Sequence, residues 1–260
     1  MGRDDELCSA TLSSEERKSR SPTMTKTDAP LLIPYGGRRW PVERLDRTSP
    51  DLDLGPLVQI DRDAGEALRL SNFPYAFAEP PDFSAIATMP ARLDFLRDHF
   101  KSYWGLWDKL ALMFLDAYFE HISGTVEAAQ PALDAQAAPH GGLFQRRDWV
   151  YSALAPIPIA HLPVPPANHG PPWVWVDFAF WTGERVVALD VVGSDDRTRR
   201  AGRERLLLAG HEVIELPADA LRRADATALR DRLPPLFSSF WSGVRLPSSP
   251  FRIGSLGALP

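Results

Sequence analysis

The sequence predicts an α/β fold with a core ordered α-β-β-β-α-β and a mixed central sheet flanked by helices. Three observations carry this. Residues 173–181 and 186–192 are rich in Val and aromatic residues and flank Thr182-Gly183-Glu184-Arg185, the pattern of a hairpin. An Arg-rich stretch then runs to Gly210 and is followed by the short apolar run His211-Glu-Val-Ile-Glu-Leu216, the pattern of helix, glycine stop and strand. Ahead of all of these lies residues 103–122, a Pro-free and largely apolar segment that fits a buried helix.

In chain order, residues 1–29 are polar and of mixed charge, which predicts a disordered lead. Residues 30–102 are rich in Pro and Asp with short apolar runs such as Leu57-Val-Gln-Ile60, so short strands and turns are expected, as an N-terminal subdomain or a wrap on the core. Residues 91–100 form a helix in this reading. On the helix 103–122, Lys109, Asp116 and Glu120 make a narrow polar strip, whereas Asp108 projects between Leu115 and Phe119 on the apolar arc. Residues 123–143 are expected to be a loop. A first strand is expected over 149–155, with a Pro-interrupted continuation, and 163–172 is a Pro-rich loop placed to cap a site. A helix over 195–209 and a strand over 211–216 follow the hairpin. A closing helix is expected over 225–241, broken at Pro234-Pro235, and residues 242–260 are a Pro-rich tail.

The hairpin carries the chemistry. Gly183-Glu184 suits a two-residue type II′ turn, which wants Gly at its first central position. With that loop Thr182 faces Arg185, and Asp177 falls directly opposite Asp190. Opposed residues share a face with Cβ atoms roughly 4.5–5.5 Å apart. Two carboxylates that close repel unless one is protonated or a cation lies between them. Mg²⁺ or Mn²⁺ fits such hard oxygen ligands; the alternative is two solvated strand-end aspartates. Arg197, Arg199, Arg200, Arg203 and Arg205 crowd the next helix, as a phosphate-binding patch or as a solvated face. Arg146 and Arg147 make a second basic pair. Trp173 and Trp175 share the face of Asp177 by alternation, with core packing favoured over base stacking.

This order of elements, with acids on the hairpin, resembles the PD-(D/E)xK nuclease superfamily, the restriction-endonuclease-like fold, and within it the very-short-patch-repair-endonuclease-like branch. Asp177-Phe178 matches the first element of the motif, Asp190-Val191-Val192-Gly193 occupies the second, and Arg203-Glu204, Leu207, Gly210 and Val213 fit the third. The resemblance spans about residues 103–241. It implies a restriction-endonuclease-like αβββαβ core and a metal-dependent nucleic-acid phosphodiesterase, most readily a DNA endonuclease in defence or repair. It implies Mg²⁺ or Mn²⁺ held by Asp177, Asp190 and the Val191 carbonyl, with Asp108 (or Glu120 as runner-up) as a third acid from the preceding helix. The family's second acid is usually Glu, and its Lys position is Val192 here. Arg203 is the candidate to replace that Lys. The alternative is a catalytically degenerate module of the same fold that binds nucleic acid or a partner protein.

Composition sets the bounds. A formal net charge of −5 argues against a broadly basic nucleic-acid coat while leaving room for a local patch. Cys8 is the only cysteine, so neither a disulfide framework nor a Cys-based zinc site can form within one chain. The six histidines lack the spacing of a metal motif. No apolar run approaches a bilayer span and the first 30 residues lack a signal-peptide core, so a cytoplasmic protein with no membrane partner is expected. Nucleic acid, most readily DNA, is the expected partner, with a partner protein or a second copy of the chain as further candidates. No GxSxG elbow, Walker A loop or GxGxxG motif is present.

Overall fold

The computed structural model describes residues 30–36, 56–76, 89–104, 108–138, 146–165, 172–192, 197–223 and 225–234. Its centre is the four-stranded sheet β3 (Ile157–Pro163), β4 (Trp173–Trp181), β5 (Val186–Val192) and β6 (Glu212–Pro217), hydrogen-bonded in that order. The β3–β4 and β4–β5 pairs are antiparallel and the β5–β6 pair is parallel. A parallel pair cannot be joined by a tight turn; here α5 (Arg197–Leu208) makes the connection.

The hairpin closes at the expected turn. Gly183 has φ 98° and Glu184 stays out of the left-handed region, as a type II′ turn requires. A Cβ on Gly183 would lie 2.7 Å from the carbonyl oxygen of Gly65, so the neighbouring chain leaves no room for another residue. The Thr182 N–H donates to the Arg185 carbonyl at 3.1 Å, which sets the register running Trp181↔Val186 through Phe178↔Leu189. No helix falls within 173–192.

Helix α5 ends where its glycine predicts. Gly210 has φ 83°, its N–H donates to the Leu207 carbonyl, and the His211 N–H reaches back to Leu206. These two bonds form a Schellman cap that turns the chain into β6.

Helices cover both sheet faces. On one face, α3 (Lys109–Ala128) packs Phe114 against Phe178 with ring centroids 4.6 Å apart and Tyr118 against Phe180 at 5.6 Å. The Tyr118 hydroxyl donates to the Leu154 carbonyl at 2.6 Å inside this layer. On the opposite face α5 reaches Asp177 and Glu215 through its arginines. Helix α2 (Met89–Ser102) is tied to α3 by Lys101 and Arg97, both on Asp116. Two short helices, α6 (Ala218–Arg222) and α7 (Ala226–Arg232), follow β6 and pack on the far end of α3.

The N-terminal strands β1 (Leu31–Pro34) and β2 (Leu57–Ile60) form an antiparallel ribbon that shares the hydrophobic core of the main sheet. The Gly36 N–H donates to the Pro158 carbonyl, the Leu68 N–H to Trp181, and the Trp181 indole to the Glu66 carbonyl. Backbone groups at the sheet margin thereby gain partners they would otherwise lack. Next along the chain comes the one-turn helix α1 (Phe73–Ala76).

Three local expectations are corrected. Of the expected loop 123–143, the described part to residue 138 is helical: α3 continues to Ala128, and α4 (Gln130–Ala137) follows with Pro at its first turn. Alanine is the strongest helix former and Pro131 sits where a missing N–H costs nothing. The run at 149–155 is not a strand; Arg146–Ser152 is a 3₁₀ helix that buries Trp149 and Tyr151. The first strand lies in the proline-containing part instead. Pro158 and Pro163 are tolerated there because β3 is an edge strand of the sheet. The long helix begins at Lys109 rather than near 103, with Asp108 as its cap.

The lead 1–29, the tail 242–260, most of the loop 163–172, and the closing helix beyond Pro234 with its Pro234-Pro235 break lie outside the described residues. Among the described residues no helix is long and apolar enough to cross a membrane.

Candidate functional site

The site forms where the β4 ladder is interrupted. Pairing of β4 with β5 runs as far as Phe178↔Leu189, and one further step opposes Asp177 to Asp190. Pairing with β3 includes Pro158↔Phe178 and Ala160↔Val176 but skips the position between them, Ile159 opposite Asp177. Ile159 has φ 46°, a conformation that β-branched residues strongly avoid. Backbone strain of this kind clusters at functional sites.

In place of ladder bonds, side chains join the two central strands. The Val191 N–H donates to Asp177 Oδ2 at 2.7 Å, and the Asp177 N–H approaches Asp190 Oδ1 at 3.4 Å. Both acids are deeply buried, Asp177 at 2% exposure and Asp190 at 3%. A buried carboxylate is costly unless it is paired and hydrogen-bonded. Arg199 supplies the pair: its Nη1 donates to Asp177 Oδ2 at 2.7 Å and its Nη2 to Asp177 Oδ1 at 3.1 Å. Nη1 also lies 3.4 Å from the Val191 carbonyl. The guanidinium stacks over the Trp175 ring, 4.6 Å from its centroid.

The row continues across the sheet. The parallel register sets Glu215 beside Asp190, and Arg203 Nη1 lies 3.2 Å from Glu215 Oε1. Three acids on three neighbouring strands thus face two arginines spaced one helical turn apart on α5. The i, i+4 spacing puts both on one helix face.

Electrostatics follow from this geometry. Burial raises Asp177, while Arg199 and the Val191 N–H oppose the rise and Asp108 adds to it. Asp190 is pushed up to about 6, by burial first and the Asp177 charge second, against the pull of Arg199 and Arg203. The two acids titrate as a pair, with the negative charge favoured on Asp177, where the guanidinium sits. His161, opposite Trp175 on β3, is buried with no hydrogen-bond partner on Nε2, and burial lowers its pKa.

The sequence-derived candidates separate as follows. Asp177 and Asp190 are brought together, with the Val191 carbonyl beside them. Asp108 caps α3 by accepting the Ala111 N–H at 3.1 Å, although its charge is felt at Asp177. Glu120 is exposed and lines a groove of about 660 Å³ between α3 and α7 instead. Arg203 pairs with Glu215, whereas Arg199, assigned only to phosphate binding from sequence, holds the acid. Arg200 is exposed and Arg205 half-buried, and the side chains of Arg197, Arg146 and Arg147 lie outside the described residues. Trp173 and Trp175 are half-buried, and the Arg199 guanidinium lies over the Trp175 ring. Glu215 and His161 were missed; the strand register was the signal for each.

The donor set suits a hard divalent cation. A positive group already selects the Asp177 carboxylate and the Val191 carbonyl together, and all the available donors are oxygens. Among the described residues no three His, Cys, Asp or Glu side chains gather as a metal cluster, so the set is two carboxylates and a carbonyl. No family model, curated protein or solved structure matches this chain.

Proposed function

We propose that this protein is a metal-dependent nucleic-acid phosphodiesterase with a restriction-endonuclease-like core, acting on DNA. The observation that carries the reading is the buried Asp177–Asp190 pair at an interrupted ladder, with the Val191 carbonyl and an arginine on the same spot. Asp177, Asp190 and the Val191 carbonyl would hold Mg²⁺ or Mn²⁺. The ion, when bound, supplies a water of lowered pKa and offsets charge on the phosphate. In the net reaction water oxygen joins phosphorus, one P–O ester bond breaks, and the proton passes to the leaving oxygen.

The chain's own residues do the positioning. Asp190, pushed up to about 6 in the metal-free site, would give up its proton on taking the ion. Arg203 holds Glu215 and lowers Asp190 from the side. Arg200, exposed in the first turn of α5, is placed to meet a backbone phosphate. Val192 contributes neither a proton nor a charge, so Arg199 is the better candidate than Arg203 for the cationic role that a lysine plays in the resembled family.

A specific observation favours a second reading. The guanidinium of Arg199 already neutralises Asp177, as a permanent ion pair in a non-catalytic module that binds nucleic acid or a protein would do. Incubation with labelled single- and double-stranded DNA and RNA in Mg²⁺, Mn²⁺ or EDTA separates the two. Cleavage that needs metal and is lost in Asp177→Asn supports the enzyme. Binding without cleavage under every condition supports the module.

A further inference from the structure

We propose that Arg199 is a displaceable occupant of the cation position, leaving the acids when a divalent ion loads and then serving the substrate phosphate. This rests on the metal-dependent reading above. The guanidinium touches the two groups that a cation there would need, the Asp177 carboxylate through both nitrogens and the Val191 carbonyl through Nη1. Two positive groups cannot share that space, so loading requires the arginine to withdraw.

The surroundings allow it to do so. The Arg199 side chain keeps 17% exposure against 2% for Asp177, so the arginine is the member of the pair that borders solvent. Trp175, half-exposed and 4.6 Å beneath the guanidinium, gives it a second favourable contact that does not involve the acids. Arg199 lies in the first turn of α5 and borders solvent, so a change of its side-chain torsions can carry its charge away from the acid row. A phosphate arriving with the ion offers the guanidinium the same planar, bidentate geometry that Asp177 gave it. Ion and phosphate therefore load together: the ion frees the arginine, and the phosphate receives it.

The test is calorimetric titration of the full chain with MnCl₂, on wild type, Arg199→Gln and Asp177→Asn. Arg199→Gln removes the competing charge and should bind Mn²⁺ at least about tenfold tighter than wild type, the equivalent of one charge-assisted contact no longer broken on loading. Addition of Ca²⁺ should strengthen binding of a short DNA duplex more in wild type than in Arg199→Gln. If Arg199→Gln fails to fold, Arg199→Lys keeps the charge but not the fork and should bind Mn²⁺ more tightly than wild type. Mn²⁺ binding by wild type that is lost in Asp177→Asn yet no tighter in either Arg199 variant overturns the exchange and leaves the enzyme reading intact. No Mn²⁺ binding by any of the proteins overturns both.

Discussion

Asp190→Asn should make the metal-free protein more stable at neutral pH and less so in acid. Asp190 is raised from the ordinary aspartate value of 3.8 to about 6 by burial and by the Asp177 charge. The folded state therefore holds the Asp190 proton more tightly than the unfolded chain does. That contribution is fully present below pH 3.8 and is lost as pH rises through about 6. A rise of about two pH units corresponds to about 3 kcal/mol lost by pH 7, and to about 1 kcal/mol lost by pH 4.5. Asparagine is nearly isosteric, keeps an acceptor for the Asp177 N–H and carries no charge, so it escapes the loss. In urea melts with EDTA present, Asp190→Asn should exceed wild type by about 3 kcal/mol at pH 7 and by about 1 kcal/mol at pH 4.5. At pH 7 its Tm should rise by about 5–10 °C. A gain that is equal at both pH values, or a variant weaker than wild type at pH 7, would refute the reasoning. Under the proposed function the same substitution loses cleavage, a site that is held charged at the expense of stability.

Further outcomes follow from the same geometry. Gly183→Ala should destabilise by about 2–3 kcal/mol in denaturant melts, because it forces φ 98° on a residue with a Cβ aimed 2.7 Å from the Gly65 oxygen. Tyr118→Phe should cost about 1–3 kcal/mol by the same measurement, since it leaves the buried Leu154 carbonyl without its donor; an unchanged midpoint would show that water replaces the hydroxyl. Val192→Lys should raise the rate of metal-dependent DNA cleavage, read by gel. Absence of cleavage by both this variant and wild type, with metal binding demonstrated, would favour the non-catalytic module.

The hairpin and its register were legible because the signals were local. Gly183 names the turn, the turn fixes the pairing, and the pairing opposes Asp177 to Asp190 without reference to the rest of the chain. Gly210 is equally local, and α5 stops there. Failures came where burial or edges overrode local preference. Trp149, Val150 and Tyr151 have strong strand propensity, yet tertiary packing winds them into a 3₁₀ turn. The prolines of β3 marked an interruption in the reading, yet the strand runs through them because its outer side needs few sheet bonds. The role of Arg199 depends on where α5 lands across the sheet, which no spacing within α5 reveals. Drawing the long helix from residue 103 put Asp108 on its apolar arc, whereas a start at Lys109 makes the same aspartate an N-cap, the position such a residue favours.

The Val191 N–H, bonded to the Asp177 carboxylate instead of to a backbone carbonyl of the neighbouring strand, gives the protein a built-in spectroscopic reporter. Its amide proton senses the charge on Asp177 directly, so its resonance should move far downfield while that carboxylate is ionised. Protonation of the acid, withdrawal of the guanidinium, or arrival of an ion would each shift it by a different amount. A single backbone signal in the middle of the sheet could therefore be followed through a titration without any label beyond nitrogen-15, and would distinguish states of the site that leave the overall fold unchanged.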